Sequence, residues 1–318
     1  MQSGNSNAMW DPSQSLSVLA ETVARVHHDW EAIQSFPDVL LHRCWEDVEE
    51  NGPSAVSALC LFRVLRRRAK AAKEDSDFLD LKRLFELCLR QQHSLAGDCI
   101  DAIYPRARQF LNQRKSLKRI SEADKDPVQV IEEVLFGDAN DKVAHLYGGL
   151  LLSCYRFAAL NAHTLPSDAS SFMASLYAIR EAYAFYICGA TEAARASLVW
   201  ASAFIDAISP DVEPEQSAGI GVCLKATACA AGIANERGDE LDLLRRALQF
   251  LPLEGDERAD ALLSMAIAYE RFGKFAEALS TYNAVLAVAE VEDMEIVDMA
   301  TTGRAVLRAE FQGDQDGT

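Results

Sequence analysis

The amino-acid sequence predicts an all-α fold built from stacked helical hairpins, and three observations lead there. Apolar residues recur at the three- and four-residue intervals of a helix along nearly the whole chain, while the alternation of a half-buried strand is nearly absent. Gly and Pro fall mostly between the periodic runs, where they punctuate helices. Residues 259–292 then place small, aromatic and turn residues in the order that two antiparallel helices with a tight connection require.

Taken in order, the first stretch, MQSGNSNAMWDPS, is polar and reads as a flexible lead-in over 1–13 without the basic flank and apolar run of a secretory signal. A divergent amino-terminal helical region follows over 14–165, with helices near 14–35, 38–50, 54–73, 76–96, 98–121, 127–136 and 139–163. Pro37, Gly52 with Pro53, Gly97 with Asp98, Asp126 with Pro127, Gly137 with Asp138, and Pro166 set the breaks. Pro105 lies inside one of these runs, so that helix begins or kinks there. Paired helices fill 166–311, and residues 312–318, QGDQDGT, form a flexible tail.

Within 259–292, Ala266 and Ala278 are small enough for two helices to approach closely. Leu262, Met265 and Tyr269 then face Phe275, Leu279 and Tyr282, and Gly273 supplies the turn. With Ala259 as the first position, Leu262, Met265, Ala266, Tyr269, Gly273, Phe275, Ala278 and Tyr282 resemble a tetratricopeptide repeat; Val285 and Glu290 depart from its usual small residue and Pro. One hairpin cannot bury its apolar face alone, so neighbours of the same kind are expected. Aligning Gly189 with Gly273 puts Ala182 and Ala194 at the close-contact positions. Aligning Gly238 the same way gives Ala231 and then Leu243, which is too large for the second contact. An insertion around Pro210 to Pro214 is needed to absorb the longer first interval.

The resemblance implies a right-handed α-solenoid, tetratricopeptide-like in its carboxyl-terminal half, that holds other proteins. The first helix of each pair would line a concave face, and carry-over places Ile179, Tyr183, Tyr186, Lys225, Asn235, Leu263, Ile267 and Glu270 in a partner-binding groove. Lys225 is the lone basic residue among them, so a clamp for a terminal carboxylate is disfavoured against a helix or extended segment with apolar anchors.

Charge is unevenly distributed. The net charge is -17, yet residues 63–119 carry fifteen basic and seven acidic residues. Arg66, Arg67, Arg68, Lys70, Arg114, Lys115, Lys118 and Arg119 form a candidate basic patch in this block. It could neutralise nucleic-acid phosphates, with Tyr104 and Phe110 as stacking groups, or meet an acidic protein. The preferred reading is plainer: the basic helices dock on the acidic carboxyl-terminal half or stay solvated, and the overall negative field disfavours general polyanion affinity.

Eight cysteines at 44, 60, 88, 99, 154, 188, 223 and 229 show no CxxC pair and lie in apolar helical patterns, which predicts reduced thiols and a cytoplasmic or, alternatively, nuclear protein. No apolar run reaches the length of a membrane span without interruption, Arg156 breaking the strongest one. The six histidines form no HExxH motif, so no metal is expected, and the acidic runs at 46–50 and 74–77 read as solvated carboxylates. Gly219 and Gly221 begin a GxGxxG-like pattern, but Leu224 stands at its last glycine and no strand precedes it. GxSxG and the phosphate loop are absent. Expectations are therefore no catalytic residues, no cofactor, and an adaptor or assembly subunit, with a regulatory nucleic-acid binder using residues 63–119 as the alternative. Oligomeric state and partner identity stay open.

Overall fold

The computed structural model describes residues 9–71, 75–113, 131, 133, 135, 141–161, 167–208, 213–289 and 294–313. Among them lie fourteen helices and no strand, in line with the all-α expectation. The chain divides into two compact units, residues 1–139 with 146–157 and residues 140–145 with 158–318.

The first unit holds α1 (Leu16–Val26), α2 (Trp30–Gln34), α3 (Asp38–Asn51), α4 (Val56–Ala71), α5 (Ser76–Arg90), α6 (Leu95–Gln113) and the middle of α7 (Lys142–Asn161). Helix α4 is its centre, with α1, α2, α3, α5 and α6 all packed against it. Leu61, Val64 and Leu65 of α4 are completely buried, each such side chain contributing roughly 2 kcal/mol of transfer free energy. The lead-in reaches this core: Trp10 is buried, donates its indole N–H to Ala32 O at 3.2 Å, and meets the Phe36 ring edge-on at 4.9 Å.

Three boundaries differ from expectation. The helix expected over 14–35 is two, because Asp29 accepts from the Glu31 and Ala32 N–H groups and starts α2 afresh. The break expected at Gly97 lies earlier, where Gln92 takes φ 52 and His93 Nδ1 accepts from the Leu95 N–H. Helix α6 starts at Leu95 and carries Pro105 in its interior rather than beginning at it. Most of the helix expected over 127–136 lies outside the described residues, and residues 131, 133 and 135 are helical.

Of the expected close-contact pair Gly148 and Gly149, Gly148 serves such a contact, as a β-carbon on it would come within 2.8 Å of Leu135 Cδ2. Helix α7 is long and apolar enough to cross a membrane, but 72% of its most apolar window is buried. Its Arg156 is wholly buried and pairs with Glu86, which lies 3.4 Å from Lys82 Nζ.

The second unit is a run of hairpins: α8 (Ser167–Cys188) with α9 (Thr191–Asp206), α10 (Pro214–Ile233) with α11 (Arg237–Phe250), and α12 (Asp256–Arg271) with α13 (Phe275–Val288). The first helices stack, α8 on α10 and α10 on α12. The last helix, α14 (Met294–Gly313), packs on α12 and α13, as α12 packs on α10 and α11.

Each hairpin turns on one left-handed residue: Gly189 (φ 81), Asn235 (φ 64) and Gly273 (φ 68). The same backbone bond closes all three turns, Ala190 N–H to Phe185 O at 2.8 Å, Glu236 to Ala231 at 2.9 Å, and Lys274 to Tyr269 at 2.9 Å. This corrects the middle register, because Gly238 lies inside α11 and Asn235 takes the turn. Asn tolerates the left-handed region and so replaces Gly without a change of fold. With the turns superposed, Ala182, Ala228 and Ala266 become equivalent and all are fully buried. Ala201, Ala247 and Val285 also coincide in the core.

Candidate functional site

The corrected register decides which side chains the three first helices share as a face. Tyr183, Cys229 and Ile267 occupy equivalent positions and are all partly accessible. Ile187 and Ile233 continue the face toward the turns, Ile233 at 76% exposure, and Val222 on α10 is 44% exposed. Burial, followed by the neighbouring Cys229 thiol, pushes the Tyr183 phenol upward in pKa, so these two side chains are near one another across α8 and α10. Tyr183 also packs edge-on to the His145 ring at 5.9 Å. The outcome is an apolar row running across consecutive helices, edged by the Lys225–Asp260 ion pair between α10 and α12.

The expected groove is only partly this row. Ile179, Tyr186 and Leu263 are core residues, at 0%, 1% and 5% exposure, and cannot touch a partner. Ile179 O accepts from Thr227 Oγ1 at 3.2 Å, tying α10 to α8. Tyr186 donates its hydroxyl to Asp239 Oδ2 at 2.8 Å; burial, followed by that carboxylate, raises its pKa. Asn235 is exposed but forms the turn. Lys225 is engaged with Asp260, while Glu270 lies beside the Tyr282 hydroxyl. Tyr183 and Ile267 remain on the accessible face.

Sequence reasoning missed Val222, Cys229 and Ile233 because the middle hairpin had been set on Gly238. The signal that finds them is Ala228, which stands at the same distance before Asn235 as Ala182 and Ala266 stand before their glycines.

Of the described members of the candidate basic patch, Arg66, Arg67 and Lys70 line one recess and Arg68 does not. Arg68 turns toward α3, donating to Phe36 O at 2.5 Å and pairing with Asp38 at 3.3 Å. Arg67 donates to His28 O at 3.1 Å, Arg66 lies over the Phe62 ring at 5.7 Å, and Lys70 is exposed. Arg114, Lys115, Lys118 and Arg119 lie outside the described residues. Of the proposed stacking groups, Phe110 is stacked on Tyr147 at 4.3 Å, and the Tyr104 hydroxyl accepts from Arg108 at 3.0 Å.

The eight cysteines are free thiols, five of them buried, with Cys44 and Cys60 Sγ atoms 4.0 Å apart. Among the described residues no group of three or more His, Cys, Asp or Glu side chains could hold a metal ion. Glu49 pairs with Arg83, and Asp47 accepts from Ser57 and Asn51, so members of the first acidic run have protein partners. No protein-family model, curated protein or solved structure matches the chain.

Proposed function

We propose that the protein is a non-enzymatic adaptor whose hairpins hold a segment of a partner protein. The second unit would be a right-handed, tetratricopeptide-like solenoid acting in the cytoplasm, where its free thiols stay reduced. The observation that carries this reading is the apolar row Tyr183, Cys229 and Ile267, extended by Ile187 and Ile233, at equivalent positions of successive helices. Single exposed apolar residues are ordinary, but a row repeated in register gives a helix or extended peptide several anchors on one face. Lys225 and Asp260 neutralise one another at its edge, so the anchors rather than charge would supply most of the affinity.

The test is comparative capture. Tagged full-length protein, Ile233→Asp and Ile267→Asp are used to recover partners from native lysate treated with nuclease, with circular dichroism and melting recorded on each. A stoichiometric partner lost from both variants, with folding intact, supports the adaptor reading, as does protection of Cys229 from alkylation in the complex. Equal recovery by wild type and Ile233→Asp would sink it, because that side chain is too exposed to be needed for folding.

A further inference from the structure

The first unit has a recess of about 380 Å³ that is independent of the hairpin face, between the end of α1, one side of α4 and Asp98 of α6. Along α4, Arg63, Arg66, Arg67 and Lys70 fall at intervals that put them on one helical face, and all four line the recess. Leu59 and Phe62 add an apolar wall. His27 and His28 line it as well, their ring centroids 3.7 Å apart.

Two simpler accounts of these cations fall short. The negative pole at the carboxyl end of α4 favours Arg68 and Lys70, which lie in its last turn, but not Arg63, Arg66 and Arg67. Ion pairing accounts for Arg68 through Asp38. Among the described residues, none of the four cations in the recess forms an ion pair. Two are nevertheless held in place, Arg66 over the Phe62 ring and Arg67 by the His28 carbonyl, and Arg67 Nε is buried without a hydrogen-bond partner.

A neighbouring cleft of about 720 Å³ shares Leu59, Arg63 and Asp98 with the recess. Ala20, Ala24 and Val56 give it an apolar side, and Ser17, Ser54 and Ser94 give it hydroxyls. We propose that recess and cleft together bind a small organic phosphate, its phosphate groups on Arg66, Arg67 and Lys70 and its organic part reaching past Leu59 into the cleft. Planar guanidinium forks match phosphate oxygens, and both volumes lie within the range of small-molecule sites. A long polyanion fits less well, since Asp98 lines both the recess and the cleft and Glu21 lines the cleft, so negative charge stands beside the cations.

The test is calorimetric titration of the full chain at low ionic strength with inorganic pyrophosphate and with ADP as the organic probe. Pyrophosphate is expected to bind at one site, and ADP more tightly. Affinity should fall about tenfold or more in Arg66→Glu and Lys70→Glu, and remain unchanged in Lys142→Glu, an exposed lysine elsewhere, and in Ile233→Asp. Circular dichroism checks each fold, with Arg66→Gln and Lys70→Gln as milder replacements. Absence of binding by both probes would overturn the site, as would an equal loss in Lys142→Glu. ADP no tighter than pyrophosphate would overturn the organic half. Binding of an oligoribonucleotide or a glutamate-rich peptide, lost in Arg66→Glu while pyrophosphate fails to bind, would make the recess part of a macromolecular surface instead.

Discussion

The carboxylate of Glu240 presses against Gly232, its Oε1 only 2.5 Å from where a β-carbon on that residue would be. In the flanking hairpins the residue equivalent to Glu240 is Ala194 or Ala278, and the residue equivalent to Gly232 is Tyr186 or Glu270. The middle hairpin exchanges sizes across the same contact. Arg271 of α12 pairs with the buried Glu240 and fixes its carboxylate there.

The exchange sets the sign of a substitution. Gly232→Ala gains about 0.5–1 kcal/mol of helix propensity but displaces a held carboxylate, at a cost of about 1–3 kcal/mol. The expected result is net destabilisation in the wild-type background and net stabilisation in a Glu240→Ala background. Urea melts of the two single variants and the double variant check it, and equal effects in both backgrounds would show that the two positions are uncoupled.

The turns yield a second contrast. No atom lies within 4 Å of a β-carbon built at Gly189, Gly238 or Gly273, so backbone conformation alone decides the cost of adding one. Gly189→Ala and Gly273→Ala, both left-handed, should each lose about 1–2 kcal/mol. Gly238→Ala, inside α11, should gain about 0.5–1 kcal/mol. Thermal melts with the opposite order would return the middle turn to Gly238.

Glu86 lies between two buried cations, Lys82 and Arg156. Removing its charge takes one charged partner from each of two buried cations, and Glu86→Ala should cost about 1–3 kcal/mol. Replacing the three together with Met, Leu and Met should restore most of the stability, measured as the midpoint of denaturant unfolding. A Glu86→Ala loss under 1 kcal/mol would mean that the other contacts of Lys82 and Arg156 compensate both charges without this carboxylate.

Burial, followed by the nearby Glu270 carboxylate, raises Tyr282 from 10.0 to about 12. The folded protein therefore holds the phenolic proton more tightly than the unfolded chain. The stability due to this group is complete below pH 10 and falls as pH rises from 10 through about 12. Tyr282→Phe should flatten that part of the stability profile relative to wild type, which melts at stepped alkaline pH will show. Identical slopes would contradict a retained proton at this site.

Helix content, the hairpin alternation and the buried alanines Ala182, Ala194, Ala266 and Ala278 were legible in the chain because helical period and residue size are local properties. The turns at Gly189 and Gly273 were legible for the same reason. Asn235 was not, since Gly238 is the better turn residue by composition and only the backbone shows which of the two is left-handed. That slip left Cys229 and Ile233 out of the expected groove, whereas Ile179, Tyr186 and Leu263, on hairpins whose turns are as expected, fall out of it because neighbouring helices bury them. Likewise, Arg66, Arg67 and Arg68 are adjacent in sequence, yet successive residues on a helix point about 100° apart, so Arg68 turns to Asp38 while the others line the recess. The sequence by itself determined the secondary structure and which side chains are apolar enough to pack. Tertiary structure alone decided which of them were consumed by packing and which stayed exposed, because burial is set by the neighbouring helix and not by the residue itself.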